Sequence, residues 1–312
     1  DRVAPDFCTD GSRGDVDLPN ASTFGYFDTV TEEYVVIPIC GSSHHLQFGM
    51  DGILWLSSPG GIALQWFDPS IFDPDDPATI GPAFDWREVR VDSDGDGVAD
   101  TNTSADGWTV DGTVWLGNRG TPFDLQDSFP SQIVRYDPAI DMFEAYEPIA
   151  PGLSPAGIDV TTDGVVWTCL VNSSHLARFD RSQCAQTYGA GDQCPEGWTL
   201  WELPGPHFKG VPEVPGNADF PYYAWVDQHN TLGLGENMVV CTGTNSDSQI
   251  VFNPETEEFI QIRTPFPLGM FTRGLDGRID DPNAGWKGRG WWITNGIDPV
   301  SHLHHEPNNR HD

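Results

Sequence analysis

Apolar residues in this chain come in short runs rich in Val, Ile and aromatic side chains, and each run is broken by Gly, Pro, Asn or Asp. Runs of that length with those breakers read as strands joined by tight turns, and no segment holds the 3.6-residue period of an amphipathic helix over a useful length. The pattern also repeats. "MDGILWLSS" at 50–58, "VDGTVWLGN" at 110–118 and "TDGVVWTCL" at 162–170 share D-G-x-x-W, with Asp51, Asp111 and Asp163 each four residues before Trp55, Trp115 and Trp167. Downstream come "ALQWFDP" at 63–69, "IVRYDP" at 133–138 and "LARFDR" at 176–181, then a third element, "FEAYEP" at 143–148 or "WTLWELP" at 198–204. A further copy, "QIVFNPETEEFIQIRTP" at 249–265, keeps the second and third elements.

Each copy therefore predicts a four-stranded up-and-down sheet: an inner strand, a D-G turn suited to positive φ, a Trp-bearing strand, and two outer strands joined at an aromatic-Asp/Asn turn. One such sheet cannot bury both faces, whereas several packed radially can, which predicts an all-β β-propeller of four-stranded blades. Inner halves are expected near 44, 104, 156, 228 and 272, and outer halves near 24–38, 62–91, 131–147, 176–203 and 249–264. The first outer half has no inner half before it, and "GWKGRGWWITNG" at 285–296 is an inner half with no outer one. The two either complete one blade of a closed five-bladed ring or belong to a propeller of six or seven blades that lacks an N-terminal part. The expectation leans to the second, because the chain starts at Asp1 as if processed or trimmed. Residues 1–300 are read as one domain and 301–312 as a His-rich tail.

Charge narrows the partners. With 15 Lys and Arg against 47 Asp and Glu the formal charge is -32, which repels nucleic acid and anionic membranes. No run approaches the ~18–20 apolar residues of a membrane span, and no signal peptide is visible. Cys8 with Cys40, and Cys184 with Cys194, flank loops and read as disulfides, because no C-x-x-C pair exists. Cys169 and Cys241 sit in apolar runs, where a buried free thiol is at least as consistent as a bridge. The cysteines favour an oxidising compartment, so the chain is expected to be secreted, periplasmic or displayed at the cell surface.

"SPAGIDVTTDGVVWTCLVNSSHLARFDR", residues 154–181, resembles the repeat of the virginiamycin B lyase (streptogramin lyase) family. Through "CGSSHHLQFG", "CPEGWTLWELPGP", "YYAWVDQHNTLGLGEN" and "GLDGRIDDPNAGWKGRG" the chain also resembles longer bacterial propeller proteins that carry this repeat. The resemblance implies a propeller, and an activity that opens a cyclic ester by elimination with histidine, glutamate and magnesium at the channel mouth. The family's acidic continuation after the tryptophan is absent here, where the chain reads "WLSS", "WLGN", "WTCL" and "WITN".

Two groups carry candidate chemistry. In "DSDGDGVAD", residues 92–100, Asp92, Asp94 and Asp96 at positions 1, 3 and 5, the Val98 carbonyl at 7 and Asp100 at 9 follow the spacing of a calcium-gathering loop. Gly97 supplies the sharp turn, and position 12 is Thr103 rather than Glu. Calcium is expected there as a structural staple between repeats. Aligned on the tryptophans, His44 falls opposite Ala156 and His45 opposite Gly157, at the entry to an inner strand. With Cys241 aligned on Cys169, Gln228 and His229 take the same entry in the fourth copy. Such entries ring the mouth of a propeller channel, where ligand sites form. His45 and His229 are thus candidate acid/base groups or ligands of a second divalent metal, Arg273 an anion-orienting group, and Glu236 a further catalytic candidate, with Lys287 and Arg289 weaker ones. The structural alternative is that these histidines only hydrogen-bond backbone at strand entries.

His302, His304, His305 and Glu306 have the composition of a transition-metal tract on what reads as a solvated tail. "NAS" at 20–22, "NTS" at 102–104 and "NSS" at 172–174 match the N-glycosylation pattern. No P-loop, G-x-S-x-G, dinucleotide or H-E-x-x-H motif occurs. Two functional expectations follow: a channel-mouth lyase or hydrolase acting on a small or oligomeric substrate, or a non-catalytic binding or assembly propeller of a larger extracellular or cell-surface structure.

Overall fold

The computed structural model describes residues 6–8, 21–41, 43, 45–49, 51–57, 63–91, 100–101, 107–108, 113–118, 131–188, 193–205, 207, 217, 219, 221–243, 248–263, 271–278 and 290–296. A two-stranded sheet comes first, β1 (Ala21–Asp28) paired with β2 (Glu33–Cys40). The first complete blade is β3 (His45–Phe48), β4 (Leu54–Ser57), β5 (Ala63–Phe67) and β6 (Phe84–Glu88). A short ribbon, β7 (Arg90–Val91) with β8 (Asp100–Thr101), leads to the second blade, β9 (Gly107–Trp108), β10 (Val114–Asn118), β11 (Gln132–Asp137) and β12 (Met142–Tyr146). The third blade is β13 (Pro155–Val160), β14 (Val166–Leu170), β15 (His175–Phe179) and β16 (Trp198–Glu202). The fourth is β17 (Ala224–Asp227), β18 (Met238–Gly243), β19 (Ser248–Asn253) and β20 (Glu258–Arg263), and a last pair follows, β21 (Phe271–Arg278) with β22 (Gly290–Gly296). Pairing is antiparallel throughout, and the fold is a β-propeller whose ring is not closed among the described residues.

The repeat's tryptophan explains how the blades stack. Side chains alternate faces along a strand, so Leu54 and Leu56 of β4 face back while Trp55 faces forward. Trp55 packs on Val114, Leu116 and Tyr136 of the second blade. Trp115 likewise packs on Ile158, Val166 and Phe179 of the third, and Trp167 on Val226, Val239 and Phe252 of the fourth. The core is therefore a series of interblade layers, three of which take in a forward-facing indole of the repeat.

The register of β18 corrects the expected alignment of the fourth copy. Phe179 pairs with Val166, and Phe252 pairs with Val239, so Val240 rather than Val239 occupies the tryptophan's place. Cys241 thus aligns with Thr168, one residue off Cys169. A one-residue shift reverses the face: Cys169 points forward, Cys241 points back, and the two form a disulfide between the third and fourth blades. Cys8–Cys40 and Cys184–Cys194 are bonded as expected. The fourth inner strand also begins at 224 rather than near 228, because residues 228–237 form a turn twice the length of the five-residue turns 49–53 and 161–165. Counting back from the tryptophan position lands inside that turn.

Candidate functional site at the inner-strand entries

The entry to each inner strand can now be placed by pairing. His45 opens β3 opposite Ser57, two residues past Trp55. Ala156, and not Gly157 as counting back from the tryptophan places it, holds the same place opposite Cys169, two past Trp167, because the bulge between Ala156 and Ile158 adds a residue to β13. In the fourth blade that place belongs to Tyr223, whose carbonyl accepts from the Thr242 amide at 3.2 Å, Thr242 being two past Val240. The structure brings the first and fourth entries together: Tyr223 Oη lies 2.9 Å from His45 Nε2 and 3.3 Å from Nδ1, with the rings edge to face at 5.3 Å. Which ring nitrogen donates follows the imidazole tautomer.

Several contacts hold Tyr223. The amides of Tyr222 and Tyr223 both donate to Thr242 Oγ1 at 3.2 Å. Tyr222 and Tyr223 are each 6 % exposed and their rings meet at a tilt, with centroids 5.1 Å apart. Cys169 Sγ sits 3.1 Å from the Tyr223 carbonyl, so the interblade disulfide lies directly behind the tyrosine. Gly157 completes the fit. It forms a bulge in β13 with φ of +63°, and a Cβ there would lie 2.5 Å from Tyr223 Cα, so only glycine lets the two inner strands approach this closely. His45 is half-buried at the strand start.

The other expected residues fall elsewhere. His229 is not at the entry. It sits exposed in the 228–237 turn beyond the far end of β17, separated from the Tyr223 level by four residues of strand at ~3.3 Å each. The structure does not bring it to His45; the offset copied from the shorter turns is the reason. Glu236 lies exposed in the same turn. That turn is organised by Asp227, whose carboxylate accepts from the amides of Thr231 at 2.6 Å and Leu232 at 2.8 Å. Arg273 falls in the bulge of β21 between Thr272 and Leu275, and "TRGLD" at 272–276 matches "PAGID" at 155–159, so its backbone stands at the same entry level as Ala156. His44, Lys287, Arg289 and the 301–312 tail lie outside the described residues, as do Asp92, Asp94, Asp96 and Val98. Asp100 is placed in β8 opposite Val91, so the acidic loop springs from a paired stem. Tyr223 was missed by reading the sequence; its signal was the "YYAWVD" run opening an inner strand.

No family model and no curated protein matches the chain. Solved structures do. Virginiamycin B lyase from Staphylococcus aureus is 12% identical, with a TM-score of 0.48 over 82% of this chain and 63% of its own. A streptogramin B lyase is 12% identical, with a TM-score of 0.49 over 82% and 62%. A gluconolactonase-like protein is 16% identical, with a TM-score of 0.45 over 83% and 77%. The chain thus spans less than two thirds of the length of the lyases it matches. Among the described residues no group of three or more His, Cys, Asp or Glu could hold a metal, so the magnesium that the resemblance implies finds no ligand set among them. No described helix is long and apolar enough to cross a membrane.

A second polar constellation lies between the second and third blades. Glu144, whose side chain is fully buried, accepts from Arg135 Nη1 and Arg181 Nε, both at 2.7 Å, from the Tyr146 hydroxyl at 2.9 Å and from the Tyr188 amide at 2.9 Å. Burial works to raise its pKa, but hydrogen bonds from Arg181, Tyr188, Tyr146 and Arg135 outweigh it and hold the carboxyl below its ordinary value. Every lone pair of Glu144 is engaged by the fold, so this cluster is an interblade clamp rather than an open site.

Proposed function

We propose that this chain is the propeller of a lyase or hydrolase working outside the cytoplasm on a small or oligomeric ester at the channel mouth. His45 acts as the acid/base group, Tyr223 orients its ring, and Arg273 receives the carboxylate that forms when a C–O bond of the ester breaks. The observation that carries the reading is the 2.9 Å contact between His45 and Tyr223, two residues at equivalent entries of non-neighbouring blades. A neutral imidazole is suited to taking a proton near pH 7 and returning it, and a hydroxyl fixed by buried backbone contacts holds the ring in one orientation. Three disulfides fit an oxidising compartment.

The test is a panel of lactones and cyclic depsipeptides followed by mass spectrometry. Elimination opens the ring without changing the mass, whereas hydrolysis adds one water. His45→Ala is expected to lower turnover by ~10²–10⁴, the usual contribution of a general acid or base. Tyr223→Phe, which removes only the hydroxyl, is expected to lower kcat by a smaller factor with an unchanged circular-dichroism spectrum. Full activity in both variants overturns the assignment.

The alternative, a non-catalytic binding or assembly propeller, is favoured by the absence of an acidic residue after the repeat tryptophans. A wild-type chain inert across the panel that still binds a ligand at the mouth would decide for it.

A further inference from the structure

The sheet formed by β1 and β2 is an outer half-blade. "TFGYFDTVTEEY" at 23–34 runs parallel to "SQIVFNPETEEF" at 248–259, and their turns are built alike. Asp28 Oδ1 accepts from the amides of Val30 at 2.7 Å and Thr31 at 3.1 Å, and its carbonyl from Glu32 at 2.8 Å. Asn253 Oδ1 accepts from Glu255 at 2.9 Å and Thr256 at 3.3 Å, and its carbonyl from Glu257 at 2.8 Å. Glu32 and Glu257 share a left-handed φ of 59° and 56°. The cross-strand pair Phe27–Tyr34, centroids 5.0 Å apart, matches Phe252–Phe259 at 4.9 Å.

β21 and β22 are the complementary inner half. Trp291 and Ile293 face back onto the fourth blade, which leaves Trp292 in the forward place of the repeat tryptophan. Trp55, Trp115 and Trp167 are at most 7 % exposed, whereas Trp292 is 66 % exposed.

The exposed apolar residues divide in the same way. On the back face of the first blade, β2 covers the outer part through Ile37 and Ile39, while Leu46 and Phe48 of the inner strand stay exposed. On the front face of the fourth blade, β22 covers the inner part, while Ile260 and Ile262 of the outer strand stay exposed. Among the described residues the first blade lacks an inner cover and the fourth an outer one. The two half-blades present the matching faces: Trp292 forward, and Phe27, Tyr34 and Val36 back, all exposed.

We infer that the edge of β1 left unpaired among the described residues is the docking surface for β22 of the same chain, and that the two half-blades form one composite fifth blade that closes the ring. The register copies that of β18 with β19: Trp292 opposite Tyr26, Ile293 opposite Gly25 and Asn295 opposite Thr23. Closure places β21 between the first and fourth blades, so the Arg273 entry stands beside those of His45 and Tyr223. It also pairs the facing edges of β1 and β22.

Because all described cysteines are bonded, an engineered pair reads the closure directly. Thr23→Cys with Asn295→Cys is expected to cross-link within one chain under mild oxidation, with a Thr23–Asn295 linked peptide in the digest and a monomer on a non-reducing gel. A slipped pair, Phe24→Cys with Asn295→Cys, is expected to cross-link at least tenfold less. Cross-linked dimers would assign the pairing to a second copy and overturn closure within the chain; no cross-link in either form would overturn the composite blade. Hydrogen exchange on the unsubstituted chain checks the same point without any variant. Segments 21–28 and 290–296 should be protected like 238–243, and exchange at the rate of free edges would refute the closure. Neither readout depends on turnover, so the closure and the proposed activity stand or fall separately.

Discussion

Glu144 shows what a single buried carboxylate does in this fold. It joins β12 of the second blade to Arg181 and Tyr188 of the third, and Arg135 beside it also reaches Asp137 at 3.2 Å. Removing one partner of such a pair leaves the others charged and desolvated, at a cost of ~3–5 kcal/mol. Glu144→Gln is therefore expected to lower the unfolding free energy by roughly 3 kcal/mol at pH 7. Its folded pKa is depressed, so the stabilisation is complete above the unfolded value of 4.5 and is lost as pH falls through the lower folded value. The gap between wild type and variant should shrink below about pH 4.5, which urea denaturation at a series of pH values measures. A gap independent of pH would show that the charge is not what matters. None of this cluster was legible in the sequence, because Arg135, Glu144 and Arg181 lie on separate strands and turns and meet only through blade packing. The position of His45 was legible, since it departs from the small residues that Ala156 and Gly157 place at the same entry. Its partner was not, since a one-residue slip and a ten-residue turn hid Tyr223 behind His229.

At the scale of elements the internal repeat and its turn residues carried most of the fold. The D-G-x-x-W copies marked β4, β10 and β14, whereas the direction in which their indoles face came only with the packing. The Cys169–Cys241 bridge could not be read the same way: equal alignment would point both thiols forward, and only the pairing register turns one back. The acidic 92–100 loop belongs to this scale too. Its stem is the β7–β8 ribbon, Arg90 opposite Thr101 and Val91 opposite Asp100, so a cation held by Asp92, Asp94, Asp96, the Val98 carbonyl and Asp100 would staple the link between the first two blades. Calcium at ~100 times its dissociation constant would add about 2.7 kcal/mol. The thermal midpoint is expected to rise when chelated protein receives calcium, and Asp94→Asn with Asp96→Asn should abolish the rise. An equal shift in that double variant would place the ion elsewhere.

At the scale of the molecule the balance of charge dominates. The excess of 32 negative charges remains after local pairing, and several described arginines already face close carboxylates: Arg87 faces Asp85 and Asp141, Arg90 faces Glu88, and Arg178 faces Asp180. The remaining acids repel one another across the surface at distances that salt screens efficiently, the Debye length falling from ~30 Å at 0.01 M to ~8 Å at 0.15 M. Local ion pairs of this kind, mostly part-exposed, contribute ~0–1 kcal/mol each, so weakening them costs little. Relief of the long-range repulsion should win. With a chelator present to exclude specific calcium binding, the thermal midpoint is expected to rise steadily from about 10 mM to about 150 mM sodium chloride and then level off as the Debye length drops below the spacing of surface charges. Circular dichroism at constant pH measures it. A midpoint that falls over the same range would mean that the arginine bridges, and not the surplus of acids, set the electrostatic stability of the propeller.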